Sequence, residues 1–143
     1  MTVLDTDHVT VVKYSDSAQY QRLTARITAA TQAGEVFGTT IISVEEQTRG
    51  WLAYIRAQRD LRRQVRGYTE LAQLFAFFQR WRVLAFDAAA ADRADYLQQI
   101  RLRVGTQDLK IAAIALTQNA LLLSANLRDF SRVPGLWVEN WLE

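Results

Sequence analysis

Apolar positions change their spacing several times along the chain, and each change marks an element. Met1 to Asp5 is a short apolar run that ends on an acid, and it reads as a first strand. Leu23, Ile27 and Ala30, at i, i+4 and i+7, predict an amphipathic helix that Gly34 closes. Val36 to Ile42 (VFGTTII) is rich in β-branched residues and reads as a second strand. Ser43-Val44-Glu45-Glu46 fits a capping box, with Ser43 at the N-cap and Glu46 at the third helical position. That helix is expected to reach about Val65, where Gly67 interrupts it. Tyr68 to Arg80 follows as another helix with Leu71, Leu74, Phe75 and Phe78 on its apolar face, so the two form a helical hairpin.

The second half repeats the alternation. Arg82 to Phe86 (RVLAF) is a third strand, and Ala88 to Arg103 is helical, with Ala90, Ala94, Leu97 and Arg101 along one stripe. Thr106, after Gly105, is the expected N-cap of a helix carrying Leu109, Ala112, Ala113 and Leu116. Beyond the first turn only Lys110 is charged there, which predicts that most of its circumference is buried. Ala120 to Ala125 has no charge and is bounded by polar turns, as in a parallel strand covered on both faces. Pro134-Gly135 stands in the order of a type II turn, and Leu136 to Val138 forms a last short strand, with Trp137 and Trp141 packing the end.

Strands alternating with helices imply right-handed crossovers and an α/β fold: a three-layer, doubly wound parallel sheet with an inserted helical hairpin. No repeat or linker divides the chain, so residues 1–143 read as a single domain. Ligands in such sheets bind beyond the carboxyl ends of the strands, at the point where strand order reverses. The acids gather there. Asp5 ends the first strand, Glu46 follows the second, and Asn126 and Asp129 follow the fourth. Asp108 opens the helix that leads into the fourth strand. With the first strand beside the fourth, Asp5 and Asp129 are expected to face each other.

Composition narrows the chemistry. The 143 residues contain no cysteine, which removes disulfides and thiolate metal sites and suits a reducing compartment. No apolar run is long enough to span a bilayer, so a cytoplasmic location without membrane contact is expected. Net charge is only +2, but eight arginines lie between Arg49 and Arg82. Of these, Arg56, Arg59 and Arg63 are candidate phosphate contacts, since the arginine fork matches phosphate geometry.

Carboxylates gathered in one cleft repel; two at about 5 Å cost roughly 3 kcal/mol at an effective dielectric near 20. A divalent cation removes that cost, and oxygen-only ligands select Mg²⁺ or Mn²⁺ over zinc. The chemistry such a cluster supports is in-line phosphodiester hydrolysis by metal-activated water. His8, the sole histidine, reads as a packing or supporting residue. Asp5-x-Asp7 also suits a phosphohydrolase that forms an aspartyl-phosphate, with the first acid as nucleophile and the second as general acid. A non-catalytic module that binds RNA or protein is a third reading.

Four segments resemble the PIN-domain ribonuclease toxins of the VapC type. They are Leu4 to His8 (LDTDH), Thr40 to Gly50 (TIISVEEQTRG), Gly105 to Ala113 (GTQDLKIAA) and Ser124 to Phe130 (SANLRDF), in the family's order and spacing. Val133-Pro134-Gly135-Leu136 and Trp141 continue the match. The resemblance implies that Asp5, Glu46, Asp108 and Asp129 hold the metal and carry catalysis, with Asn126, Thr6 and Asp7 in support. It also implies an RNA substrate, a homodimer and a small cognate antitoxin, the hairpin being the seat of dimer and antitoxin contacts. Gln47 stands where the family usually has Leu, and Ser124-Ala125 where Thr-Arg is common.

Overall fold

The computed structural model describes every residue from Met1 to Glu143. One sheet contains β1 (Thr2–Leu4), β2 (Phe37–Thr40), β3 (Arg82–Leu84), β4 (Leu121–Leu123) and β5 (Trp137–Glu139). The helices are α1 (Thr6–Tyr14), α2 (Ala18–Gln32), α3 (Ile41–Ala57), α4 (Leu61–Phe78), α5 (Ala88–Gln99), α6 (Thr106–Thr117) and α7 (Leu127–Phe130). Strand order is β3-β2-β1-β4-β5, with every pair parallel. The expected α/β architecture is therefore present, with α3 and α4 as the hairpin between β2 and β3. Order reverses between β1 and β4, where Leu4 pairs with Leu123 on one side and with Thr39 on the other.

Successive strand residues point to opposite faces, and the two faces carry separate cores. Val3 and Leu122 pack with Ala90 and Leu97 of α5 and with Leu109, Ile111, Ala112, Ile114 and Ala115 of α6. Leu4 and Leu123 pack instead with Val9 of α1, Leu23 of α2, and Leu74 and Phe78 of α4. The central strands are thus covered on both sides, as their uncharged sequences require. No helix is long and apolar enough to cross a membrane.

Several local expectations are corrected. The apolar pattern names no element at Thr6–Tyr14, yet it is helix α1. Its β-branched residues are poor helix formers, and burial of His8 and Val9 overrides them. Pairing in β2 ends at Thr40, and the Thr40 hydroxyl, not Ser43, caps α3 by accepting the Ser43 N–H at 3.2 Å. Glu46 therefore sits in the second helical turn and makes no capping box. Gly67 does not break a helix; α4 runs through it. A Cβ there would run into Ile55 Cγ1 and stand 2.9 Å from Tyr54 Cδ1, so Gly67 is where the hairpin helices cross closely. The break comes earlier, where Asp60 accepts the Arg62 N–H at 3.0 Å and starts α4.

Gly105, not Thr106, caps α6, without a side-chain bond. Helix α5 stops at Gln99, and Arg101 lies beyond it at φ 53°, off the predicted stripe. On α4, Phe75 is 59% exposed, while Phe77 packs against Phe78 with ring centroids 5.2 Å apart. Trp141 is buried, but Trp137 is 77% exposed because β5 is an edge strand whose inward residue is Val138. The turns behave as read, with Gly34 and Gly135 at φ 97° and 79°.

Candidate active site

The carboxyl ends of β1 and β4 set the position of the site. Asp5 leaves β1 in an extended conformation and caps α1, its Oδ1 accepting the Thr6 N–H at 2.7 Å. Its Oδ2 accepts the hydroxyl of Ser124 at 2.7 Å, a fully buried residue that follows β4. The Ser124 oxygen in turn accepts the Asn126 N–H at 3.0 Å, fixing the entry to α7. Asn126 caps that short helix, and its Nδ2 donates to Asp108 Oδ2 at 3.2 Å and to Asp129 Oδ2 at 3.1 Å. One amide therefore holds two carboxylates together. From the β2 side, Glu46 Oε1 accepts the Thr6 hydroxyl at 3.1 Å, and that hydroxyl lies 3.0 Å from Ser43 Oγ.

Asp7 touches this exchange only through the Ser124 hydroxyl, 3.4 Å from its Oδ2. Its Oδ2 accepts the Ala125 N–H at 2.8 Å, and its Oδ1 lies 2.6 Å from His8 Nδ1. His8 Nε2 accepts the Trp141 N–H at 3.1 Å, so that nitrogen carries no proton and Nδ1 is the donor. The fully buried imidazole thus ties α1 to the end of the chain, and packing and support are the roles its bonds fit.

Crowding shows in the proton affinities. Burial, with the charge of Asp7 next, raises the Asp5 carboxyl to about 7; Ser124 and the Thr6 N–H partly oppose this, and Asp108 adds to it. Glu46 is raised by burial and, against the opposing Thr6 hydrogen bond, by the charges of Asp108, Glu45 and Asp7. Asp108 is raised by burial and then by Asp129, with Asn126 opposing. Burial also pushes Asp7 upward, but its hydrogen bonds from His8 and Ala125 outweigh it and hold the group below the usual carboxylate range. Asp5 feels Asp7 and Asp108, whereas Asp129 acts on Asp108 across Asn126.

All four expected acids, with Thr6 and Asn126, reach one edge of the sheet, but no three of them converge on a single point. A closed cage of protein ligands does not fit. A small hard cation held by one or two carboxylates, keeping water elsewhere, does fit an oxygen-only set in which Asp5, Glu46 and Asp108 hold protons more tightly than free carboxylates do. The arginines behave differently. Arg56 on α3, Arg59 in the turn and Arg63 on α4 are exposed, and Arg56 is about 15 Å further along the axis of α3 than Glu46. The fold does not bring them to the acids. The cations that lie beside the site include Arg132, 3.6 Å from Asp129 Oδ1, Arg49, 2.7 Å from Glu45, and Lys110, 3.1 Å from Gln107; Gln107 in turn donates to Glu45 at 2.9 Å.

Ser43, expected only as a helix cap, and Ser124, expected only as a departure from the family pattern, both join the site, because a single serine carries no pattern that marks such a role. Their signal lay in position: each sits one or a few residues past a buried strand whose carboxyl end faces the cleft.

Comparison with known proteins agrees with the motifs. No family model matches the chain. It is 34% identical over 74 residues to ribonuclease VapC2 of Rickettsia felis, covering 49% of this chain and 55% of that one. It is 40% identical over 76 residues to the tRNA(fMet)-specific endonuclease VapC of Shigella flexneri, covering 50% and 57%. The chain thus spans little more than half the length of the curated relatives it matches. Its fold matches a chain of the DNA-bound VapBC structure from Salmonella typhimurium at a TM-score of 0.71 and 25% identity, over 98% of this chain and 97% of that one. The resemblance to VapC-type proteins holds in both sequence and fold.

Proposed function

We propose that this protein is an endoribonuclease of the VapC type, the toxin of a toxin–antitoxin pair, cutting RNA with the help of Mg²⁺ or Mn²⁺. The observation that carries this reading is the bridge at Asn126, which holds Asp108 and Asp129 beside the buried Asp5 at the sheet's switch point. Asp5 and Asp108 are the best-placed cation ligands, with Glu46 and Asp129 completing the acidic edge. When bound, such a cation supplies Lewis acidity toward a phosphodiester and acidifies water. The chain's own residues do the rest. Ser124 and the Thr6 N–H orient the Asp5 carboxylate, the Thr6 hydroxyl orients Glu46, and Asn126 spaces the outer pair.

The aspartyl-phosphate reading fits less well. Its general acid would be Asp7, and a general acid must hold a proton near neutral pH. Asp7 is held below the usual carboxylate range and its oxygens are engaged by His8 and Ala125.

Purified protein is expected to cleave single-stranded or looped RNA in Mg²⁺ or Mn²⁺ and to stop in excess EDTA. Asp108→Asn should reduce cleavage by two orders of magnitude or more, roughly the cost of removing a key group from a reacting centre, with its fold intact. Cleavage that persists in EDTA, or an active Asp108→Asn protein, would overturn the assignment. The proposal includes a homodimer and a small antitoxin, with contacts on the α3–α4 hairpin.

A further inference from the structure

Beside the acids lies a second feature that the cleavage chemistry does not use. A cleft of about 370 Å³ is lined by Tyr14, Glu46, Gln47, Gly50, Trp51 and Tyr54. Glu46 belongs to both places, so the cleft opens directly off the acidic edge. Its walls are aromatic and held in place. Trp51 Nε1 donates to the Tyr14 hydroxyl at 2.8 Å, which satisfies the indole N–H within the chain. Tyr54 meets Trp51 edge-on at 5.5 Å between centroids, and Gln47 is anchored by donating to Thr10 Oγ1 at 2.8 Å.

Gly50 is the residue that the fold does not explain. It lies in the middle of α3, where glycine is among the poorest helix formers. A Cβ built there meets nothing within 4 Å, whereas one at Gly67 in the same hairpin collides with Ile55. Packing thus demands glycine at 67 and not at 50. A glycine in open space leaves the backbone there free for close approach by something outside the chain. Arginines flank the opening. Arg66 lies 5.8 Å from the Tyr54 ring centroid, and Arg49, next to Gly50 in the chain, keeps a side chain 71% exposed while pairing with Glu45 at 2.7 Å. Lys13, over the Tyr14 ring, is nearly buried and pairs with Glu70, so it braces the wall and does not face the opening.

We infer that this cleft is a nucleobase subsite: it takes one unpaired base of the RNA strand, next to the phosphodiester presented to the acids. The inference rests on the ribonuclease reading for the strand's identity. Flat aromatic walls suit any base, because every base has a π face, and flanking cations suit the phosphates on either side. The subsite favours unpaired RNA, since a base within a duplex must first be unpaired and unstacked, at a cost in free energy, to enter.

Gly50→Leu is the direct test, because Gly50 lines the cleft and a Cβ added there meets nothing within 4 Å. Affinity is read by fluorescence anisotropy of a labelled single-stranded oligoribonucleotide on the Asp108→Asn protein, with and without Gly50→Leu. The change should weaken binding by on the order of tenfold or more, the scale of one lost base stack, with no fall in melting temperature. Trp51→Leu, which removes the indole and keeps apolar bulk, should show the same loss. An oligoribonucleotide lacking the base next to the cut should bind the parent as weakly as the intact one binds Gly50→Leu, and the two losses should not add. Unchanged affinity in both variants, or losses that add fully, would overturn the subsite. So would a Gly50→Leu protein that keeps RNA affinity but loses a co-expressed protein partner, which would make the cleft a peptide site. Cleavage by the wild type is assayed in parallel and separates the two proposals. A protein that binds the base but cuts nothing sinks the nuclease reading alone, and one that cuts RNA lacking the base as fast as intact RNA sinks the subsite alone.

Discussion

At the scale of single residues the site is a set of carboxylates held against their own repulsion. Asp5, Glu46 and Asp108 all hold protons more tightly than free carboxylates do, Asp5 up to about 7. Groups raised on folding stabilise the protein fully below their unfolded values, near 4, and lose that contribution as pH rises through the folded ones. Metal-free protein is therefore expected to melt at progressively lower temperature between about pH 4 and pH 7. Added Mg²⁺ should offset the fall most at the upper end, where the carboxylates are ionised. Asp7 is shifted the other way, so its contribution is lost only at more acid pH. Melting curves in EDTA and in Mg²⁺ across this range check the sign; metal-free stability that climbs steadily to neutrality would contradict it. Ser124 supplies a second test. Its hydroxyl favours the ionised form of Asp5, so Ser124→Ala should raise the Asp5 proton affinity further and weaken Mg²⁺ binding by about 10–100-fold, read by metal titration. The acids themselves were legible in the sequence because Asp5, Glu46 and Asp129 come after strands that announce themselves and Asp108 opens the apolar helix that leads into one. Ser124 and Ser43 were not, since their part depends on strands distant in sequence lying side by side.

At the scale of elements, the hairpin shows where sequence patterns mislead. Gly67 carries the letter of a helix breaker, yet it sits inside an unbroken α4 because the neighbouring helix crosses there. Gly67→Ala should destabilise by about 1–3 kcal/mol through overpacking against Ile55, less up to about 1 kcal/mol from better helix propensity. Gly50→Ala in the same hairpin meets nothing and should stabilise by about 0.5–1 kcal/mol. Chemical denaturation of both proteins tests the contrast, and equal signs would refute the packing account of Gly67. The same competition displaced the start of α3. Ser43 with Glu46 has the spacing of a capping box, but the strand stops pairing at Thr40 and a hydroxyl there reaches the helix first. That shift is what points Glu46 at Thr6 instead of at its own helix terminus. The layered parallel architecture was readable because it follows from alternation of elements, whereas the full strand order, β3-β2-β1-β4-β5, does not. Cap positions and the span Thr6–Tyr14 were not, because tertiary contacts decide them.

At the scale of the whole molecule, α4 carries two apolar stripes. Gly67, Leu71, Leu74 and Phe78 face inward, while Leu61, Val65, Tyr68 and Phe75 recur at the same spacing on another face and are exposed. Leu61 is 77% exposed and Phe75 59%, values that α4 would not be expected to leave so high along a face about 21 Å long unless something covers it. The two adjacent phenylalanines, Phe77 and Phe78, do not supply this surface, since both pack within the chain. The outer stripe does, and Arg62, Arg63 and Arg66 flank it, giving the polar rim that such interfaces have. A dimer through α4 is the expected outcome, with wild-type protein eluting and scattering light as a dimer at micromolar concentration. Val65→Glu places a charge in the middle of the stripe and should yield a monomer. Because Val65 belongs to neither core, the monomer should keep its secondary structure, and any loss of melting temperature should depend on protein concentration in the wild type alone. A wild-type monomer, or a Val65→Glu dimer of unchanged stability, would rule out this surface. The hairpin would then be free to serve the antitoxin without an intervening twofold, and co-expressed antitoxin should protect Leu61, Val65 and Tyr68 from hydrogen exchange directly.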